Sequence, residues 1–388
     1  MTLITKLAES EPKPIGSETI VEIAHRLAPE FSARAADCDE NDRFVGQNYQ
    51  ELKAAGLVEA AVPHELGGRG AEVGELCAML RTIARGCGST ALAFSMHTHQ
   101  VAIPAWRWRH QNVAAVEPLL KRVAAEKLIL LSSGGSDWIG GSGTAVKVDG
   151  GYRITARKIF TSGAEAGDLL MTGAVLADEI PAKVLHFAVP MKAPEVRIDP
   201  TWRTLGMRGT GSNDVVIDGL FIPDAGIAFS RQSGQWHPVF QIIATIAFPL
   251  IYAAYLGVAE SARDIAIGLA RKKTASNPHL VELAGRMETS LRAAQLAHRH
   301  MIAIAEQNMP SAASVNEVMI GRTLVAKHAI KTVELALELA GGAGFYRANG
   351  LERCFRDIQG ARFHPLQQGP QARYAGSLAL DLPVDNVF

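Results

Sequence analysis

Residues 144–163 read TAVKVDGGYRITARKIFTSG, and this stretch decides the fold because it alternates apolar and polar side chains within a chain otherwise patterned as helices. The turn residues Asp149-Gly150-Gly151 divide it into the two strands of a β-hairpin. Gly, Pro or Asp residues also bound three further short apolar runs, LLMTGAV (169–175), KVLHFAVP (183–190) and DVVIDGLFIP (214–223). We therefore predict a compact, barrel-like β domain over residues 128–232.

The segment that precedes this domain is patterned as helices, and we assign residues 1–127 to an N-terminal helical domain. Apolar residues recur at helical spacing in a first helix, where Ile20, Ile23 and Leu27 share one face. Residues 73–106 predict two long apolar helices that are interrupted at Gly86–Gly88.

Helical spacing returns after the β domain, and we assign residues 233–388 to a C-terminal domain. Its first helix, predicted over residues 237–273, is apolar on nearly all sides of its first half, which indicates a central place in a bundle. Three further helical segments follow, at residues 280–307, 313–339 and 351–363. The predicted fold class is therefore α+β, with an N-terminal all-α domain, a central β domain and a C-terminal four-helix bundle.

The charge balance and the cysteines exclude several function classes. The chain has 39 Lys+Arg and 39 Asp+Glu, and a formal net charge of zero argues against a general electrostatic hold on nucleic acid or an anionic membrane. The four cysteines form no C-x-x-C pair, so we expect neither a disulfide framework nor a metal site. We also expect no signal peptide and no uncharged run of membrane-spanning length, which predicts a cytoplasmic protein.

Four strings in a fixed order resemble the acyl-CoA dehydrogenase superfamily of flavoenzymes over essentially the whole chain. They are KAAGLVEAAVPHELGG (53–68), YRITARKIFTSGAEAGDLLMTGAV (152–175), TLGMRGTGSNDVVIDGLFIP (204–223) and AGGAGFYRANGLERCFRD (340–357). The resemblance implies an acyl-CoA dehydrogenase-like fold with a flavin between the β domain and the C-terminal bundle. It also implies a homo-oligomer, a dimer or a tetramer, that assembles through that bundle.

The resemblance places flavin contacts at strand ends. Thr161, Ser162 and Gly163 end a strand, and their hydroxyls and backbone amides are suited to the edge of an isoalloxazine ring. By themselves these three are also ordinary turn residues. Ser132 and Ser133 match the loop that covers the pyrimidine side of the flavin.

The same resemblance assigns Arg271, Gly341 and Gly342 to cofactor binding, but the features that hold FAD tightly are eroded. Family members carry a Phe-Gly pair after the arginine that matches Arg271, and this chain has none. Glu338 replaces a glutamine, and its carboxylate would repel a diphosphate. Whether the flavin is FAD or FMN stays open.

The general base of the family dehydrogenases is missing. These enzymes remove a proton next to a thioester carbonyl and need a carboxylate for it. The resemblance places that carboxylate either eight residues after Asp357, where this chain has Pro365, or on the first bundle helix, where it has Ile243. Neither residue can accept a proton.

His364 directly precedes Pro365, and this arrangement resembles the flavin-dependent monooxygenase branch of the superfamily, which includes dibenzothiophene monooxygenase. In that branch a separate flavin reductase supplies reduced flavin, which binds loosely and activates dioxygen. By position, the catalytic groups would be His364, Ser162 and either His97 or His99, since the string SMHTHQ offers both histidines. Imidazole is suited to this role because it donates or accepts protons near neutral pH.

Three hypotheses follow. The first is a monooxygenase that uses reduced flavin (FAD or FMN) and dioxygen on a small aromatic or heterocyclic compound. The second is an acyl-CoA dehydrogenase with a relocated base, for which Glu352, Asp357 and His364 are the candidates. The third is a catalytically silent flavin-binding relative.

Overall fold

The computed structural model describes residues 18–176, 178–271 and 277–384, with the backbone alone for Ser136. The helices before the sheet are α1 (Ile20–Glu40), α2 (Gly46–Ala54), α3 (Val73–Gly86), α4 (Gly88–Gln111) and α5 (Glu117–Glu126). The predicted break between two long helices is confirmed, because Cys87 alone separates α3 from α4. Gly86 is required there, since an added Cβ would lie 2.3 Å from the carbonyl oxygen of Ala28.

The described strands form one curled, eight-stranded sheet, which confirms the predicted β region. The strands are β1 (Leu130–Ser132), β2 (Thr144–Val148), β3 (Gly151–Lys158), β4 (Leu169–Leu176), β5 (Lys183–Pro190), β6 (Val196–Asp199), β7 (Asp214–Pro223) and β8 (Phe229–Gln232). The order is β6-β7-β3-β2-β4-β5-β8, with β1 parallel to β4. The predicted hairpin is β2–β3, and Gly150 turns it with a φ of 71°.

The C-terminal part contains α6 (Val239–Ala270), α7 (Pro278–Glu306), α8 (Ala312–Ala340), α9 (Leu351–Ile358) and α10 (Gln368–Ala379). The three long helices match the prediction within a few residues. The last predicted helix is shorter than expected, because α9 ends at Ile358 and a 3-10 turn continues to Arg362. Helix α10 was not predicted.

Helix α6 corrects one sequence-based expectation. Residues 232–259 contain no Asp, Glu, Lys or Arg, so the expectation that no uncharged run reaches membrane-spanning length is wrong. By length and composition α6 could cross a membrane, but 94% of its most apolar window is buried inside the protein. Helices α3, α4, α7, α8 and α9 cover it within one chain. Its apolar surface is therefore that of a core helix and gives no argument for a second copy.

We expect the close approach of α3 and α6 to depend on Gly257. An added Cβ there would lie 2.4 Å from the carbonyl oxygen of Arg81 and 2.6 Å from Ala84 Cβ. Gly257→Ala should lower the free energy of unfolding by about 1–3 kcal/mol, because the two helices must separate. Gly268 on the same helix faces open space, and Gly268→Ala should raise stability by up to about 1 kcal/mol. Urea unfolding compares the two, and equal effects would contradict this account.

Candidate active site

A cavity of about 900 Å³ opens between the sheet, α4, α6 and the segment after α9. One face of α6 lines it with side chains spaced three or four residues apart, which is the spacing of a single helix face: Phe240, Ile243, Ala247, Ile251 and Tyr255. Most of the wall is apolar, and a small number of polar groups converge on it. Such a combination is typical of a small-molecule site.

Of the two candidate histidines on α4, the structure places His99 in the cavity wall and His97 outside it. His97 accepts a hydrogen bond from the Leu130 amide on Nδ1 (3.0 Å), and Nε2 donates to the carbonyl oxygen of Val58 (2.9 Å). Burial lowers the pKa of His97 to about 4, so the ring is neutral. Both nitrogens are engaged with the backbone, and His97 joins α4 to the start of β1.

The two ring nitrogens of His99, a residue of the cavity wall, have different hydrogen-bond roles. Its Nδ1 lies 3.0 Å from the carbonyl oxygen of Ser95, which can only accept a hydrogen bond, so Nδ1 carries the proton. Burial lowers the pKa of His99 to about 4, which keeps the ring neutral. Nε2 is then an acceptor, and the side-chain amide of Gln100 lies 3.4 Å from it.

His364 lines the same cavity, on the segment after α9. Its Nε2 lies 2.6 Å from the hydroxyl of Tyr255, and its carbonyl oxygen accepts a hydrogen bond from Arg322 at 2.9 Å. Burial lowers the pKa of His364 to about 3, with contributions from Arg322 and His99. The structure thus brings His99, Ser162 and His364 from three distant segments to one cavity.

Ser162 is the last hydroxyl of a chain of three. Thr210 donates to the carbonyl oxygen of Met207 (2.8 Å), so its only proton is used. Ser212, 2.7 Å away, must therefore donate to Thr210, and Ser162, 2.8 Å from Ser212, must donate to Ser212. Ser162 consequently offers the cavity a hydrogen-bond acceptor.

The other predicted flavin contacts divide into two groups. Ser132 and Ser133 lie in the cavity wall. Five residues do not: Thr161, Gly163, Arg271, Gly341 and Gly342. The hydroxyl of Thr161 points inward to the carbonyl oxygen of Lys158 (3.2 Å), and the amide of Gly163 donates to Thr210. Of the three residues Thr161, Ser162 and Gly163, Ser162 is the one that lines the cavity of this chain.

The wall holds no free carboxylate among the described residues. Ile243 and Pro365, which occupy the two base positions, both line the cavity. Asp137 is the carboxylate in the described wall, and buried Lys158 lies 3.0 Å from it. The hydroxyls of Ser133 and Ser142 also donate to Asp137. Its charge is compensated on several sides.

The two acidic candidates for a relocated base lie outside this wall. Glu352 pairs with Arg356 at 2.7 Å. Asp357 is buried and accepts a hydrogen bond from the Met207 amide at 2.5 Å. Burial raises the pKa of Asp357 to about 6. Glu352 forms an ion pair within α9, and Asp357 joins α9 to the segment at Met207, so both carboxylates have structural roles.

The aromatic side chains of the wall were not predicted from the sequence, among them Trp138, Phe160, Trp202 and Phe248. Trp138 contacts Phe248 edge-on, with ring centroids 5.8 Å apart. Phe160 is 53% exposed and has a φ of 54°, which is unusual for a side chain of this size. The spacing along α6 could have indicated a cavity face, but nothing in the sequence separates that face from the others.

Three family models match the chain in order. The N-terminal domain of acyl-CoA dehydrogenases matches residues 17–113, the middle domain matches 132–220 and the C-terminal domain matches 250–368.

Curated relatives align with nearly the whole chain. The Bacillus subtilis protein YdbM, whose name assigns it provisionally to the acyl-CoA dehydrogenases, is 27% identical and covers 88% of this chain and 91% of its own. A pigment production hydroxylase of a Rhodococcus species is 26% identical, with 95% and 97% covered. A dibenzothiophene monooxygenase of Mycolicibacterium goodii is 25% identical, with 89% of each chain covered.

Solved structures share the fold. KijD3, in complex with FMN and a dTDP-linked amino-keto sugar, gives a TM-score of 0.85 at 24% identity, with 95% of this chain and 98% of that chain covered. TdsC of a Paenibacillus species, in complex with FMN and indole, gives 0.82 at 18% identity, with 94% and 98% covered. At these identities the likeness shows the fold alone.

We expect the two histidines of α4 to respond differently to truncation. His97→Ala leaves the buried Val58 carbonyl and Leu130 amide without their partner, so the free energy of unfolding should fall by about 2–4 kcal/mol. His99→Ala removes one bond to a carbonyl of its own helix and opens the cavity wall, so its loss should be smaller. Urea unfolding measures both. A larger loss for His99→Ala would contradict the roles assigned here.

Proposed function

The chain belongs to the acyl-CoA dehydrogenase superfamily, and we propose that it is a monooxygenase that uses reduced flavin and dioxygen on a small aromatic or heterocyclic compound. The observation that carries the proposal is the lack of a free carboxylate in the described cavity wall. Removal of the weakly acidic proton of an acyl thioester needs such a base. Ile243 and Pro365 occupy both family positions, and Lys158 neutralises Asp137.

The cavity wall fits a flavin ring. Ser132 offers a hydroxyl at one strand end, beside Ser133, whose own proton is donated to Asp137. Ser162 offers an acceptor at another strand end, and Trp202 and Phe160 supply aromatic surface. Reduced flavin carries a ring N–H at N5 that oxidised flavin lacks, so an acceptor at Ser162 supports binding of the reduced form. We propose FMN, since KijD3 and TdsC hold FMN within this fold and the FAD features around Arg271 are eroded.

When bound, reduced flavin supplies the electrons that activate dioxygen. The residues of this chain then bind, orient and move protons. His364 and His99 place neutral imidazoles at the cavity, where they can donate or accept a hydrogen bond without bringing a charge. The apolar face of α6 excludes water, which protects reactive species from side reactions.

The electrostatics of the wall support an uncharged substrate. In the described wall, Arg356 is the one lysine or arginine, and Asp39 and Glu352 engage its guanidinium on both sides. No free cation remains in the described wall to bind a carboxylate of the substrate. Trp138 and Phe248 offer flat apolar surface instead. Indole bound to TdsC has the size and chemistry that such a wall accepts.

The proposal includes partners. Loosely bound reduced flavin requires a flavin reductase that supplies it. We also propose a cytoplasmic homo-oligomer, a dimer or a homotetramer, in which Arg271, Gly341 and Gly342 serve the flavin of a neighbouring subunit. Phe345 and Tyr346 follow these glycines and are 88% and 70% exposed, so a second subunit would give them apolar cover.

Two assays separate the monooxygenase from an acyl-CoA dehydrogenase. With FMN, a flavin reductase and NADH, the protein should hydroxylate indole as dioxygen is consumed. With bound flavin and no oxygen, acyl-CoA substrates of several chain lengths should leave the flavin oxidised. Anaerobic bleaching by an acyl-CoA at a catalytically useful rate would overturn the proposal and favour the kind of activity that the name of YdbM suggests.

In the same assay His364→Ala should lower hydroxylation by roughly 10²–10⁴-fold, the usual contribution of one acid–base group. Dioxygen would then be reduced to hydrogen peroxide without hydroxylation, and a coupled peroxidase assay measures that peroxide. His300→Ala is the control, because His300 is an exposed histidine of α7 outside the cavity wall. Equal product yields from His364→Ala and the wild type would remove His364 from the mechanism.

The hydroxyl chain predicts a preference between flavin redox states. Ser162→Ala removes the acceptor, so binding of reduced FMN should weaken by about 1 kcal/mol, or up to about 3 in a dry site, and oxidised FMN should be less affected. Ser212→Ala leaves the Ser162 hydroxyl free to donate its proton to the flavin. The difference in affinity between reduced and oxidised FMN should therefore become smaller. Anaerobic titrations with both forms measure this. Unchanged affinities in Ser162→Ala would place Ser162 outside the flavin contact.

A further inference from the structure

Tyr255 stands beside His364 in the cavity wall. It belongs to α6, is fully buried at its ring, and its hydroxyl lies 2.6 Å from His364 Nε2. The chain makes room for this contact at Gly360, where an added Cβ would lie 2.7 Å from the same hydroxyl. Tyr255 is the only cavity-lining residue of its helix that brings a phenol, since Tyr252 faces another way.

The direction of this hydrogen bond follows from counting protons. Among the described residues, His364 is the one hydrogen-bond partner of the Tyr255 hydroxyl. If the hydroxyl accepted the bond, its own proton would be buried without a partner, which costs free energy. If the hydroxyl donates, its proton and the lone pair of His364 Nε2 are both paired. Burial holds the pKa of Tyr255 well above its usual value, so the phenol keeps the proton that it donates.

Donation to Nε2 settles where His364 carries its proton. A neutral imidazole has one N–H, and if Nε2 accepts, that N–H is at Nδ1. Nδ1 makes no hydrogen bond to a described residue and is not among the buried polar atoms that lack a partner, so it keeps some exposed surface, and His364 lines the cavity. The backbone around the histidine is held separately, because Arg322 donates to its carbonyl oxygen.

We propose that Tyr255 is a positioning residue that fixes His364 in its Nδ1–H tautomer, so that this histidine presents a hydrogen-bond donor to the cavity. His99 has the opposite polarity, since its Nδ1–H donates to the Ser95 carbonyl and leaves Nε2 as an acceptor. The two imidazoles at the cavity therefore differ in polarity, with a hydrogen-bond donor at His364 Nδ1 and an acceptor at His99 Nε2, which the side-chain amide of Gln100 approaches at 3.4 Å. That this serves oxygen chemistry rests on the proposed function; the tautomer itself does not.

The tautomer is measured by ¹⁵N NMR of protein labelled at histidine, without added flavin, with the His364 signal identified by its loss in His364→Gln. The wild type should show protonated Nδ1 and unprotonated Nε2. In Tyr255→Phe this preference should be lost, and Nε2–H should become populated. A wild-type Nε2–H, or an unchanged tautomer in Tyr255→Phe, would overturn the proposal.

The chain offers a matched control on the same helix. Tyr252 is also fully buried, but its hydroxyl donates to the carbonyl oxygen of Ala361 at 2.8 Å and not to the imidazole. Tyr252→Phe should therefore lower stability without changing the tautomer of His364. Gly360→Ala is a second probe, because its Cβ would push the Tyr255 hydroxyl away while the phenol stays intact. It should reproduce the spectrum of Tyr255→Phe, and a wild-type spectrum would contradict the proposal.

Turnover forms the second arm, with reduced FMN from a reductase and indole as the probe. Tyr255→Phe should lower the product formed per dioxygen consumed by about ten- to a hundredfold, less than full removal of an acid–base group. If the wild type shows the tautomer but no hydroxylation, the proposed function fails and the positioning role stands. If the wild type hydroxylates indole and Tyr255→Phe has normal yield and tautomer, the positioning role fails alone.

Discussion

Helix α6 must be buried on almost every side, and the rest of the structure depends on this constraint. Residues 239–259 carry no Asp, Glu, Lys or Arg, so their exposure to water would be unfavourable around the whole circumference. Helices α3, α4, α7, α8 and α9 pack against it. The face that these helices leave uncovered lines the cavity together with residues of the sheet. The same constraint therefore builds the core and shapes the site.

Much of the fold could be predicted from the sequence because the long elements repeat their pattern many times. Short elements lack that redundancy. Strands β1, β6 and β8 have three or four residues each, and their pairing with β4, β7 and β5 defines them. Helix α10 contains Gly369 and Gly376, and glycine is unfavourable within a helix. Its Tyr374 is nonetheless buried, with its ring 5.8 Å from that of Trp236, so tertiary packing overrides the local preference.

The site was less accessible from the sequence than the fold. Resemblance supplied the positions of Ser162 and His364, but spacing could not decide between His97 and His99. The two project about 200° apart on α4, so they face different sides, and both faces of that helix are buried. Packing alone selects His99 for the cavity. The partners that orient these groups, Ser212 and Tyr255, come from segments far apart in sequence.

The polar groups of the cavity carry little net charge, so they can act on a ligand mainly as hydrogen-bond donors or acceptors. Lys158 neutralises Asp137, and burial holds the pKa of His99 at about 4 and of His364 at about 3, so these groups bring little net charge to the wall. A neutral imidazole or hydroxyl can donate or accept at a given atom, and its hydrogen-bond partner decides which. Those partners belong to the backbone, to α6 and to the hydroxyl chain, so they are in place before any ligand binds. The folded protein therefore fixes which atoms of the site donate and which accept hydrogen bonds. Such preorganisation is the condition for effective electrostatic stabilisation.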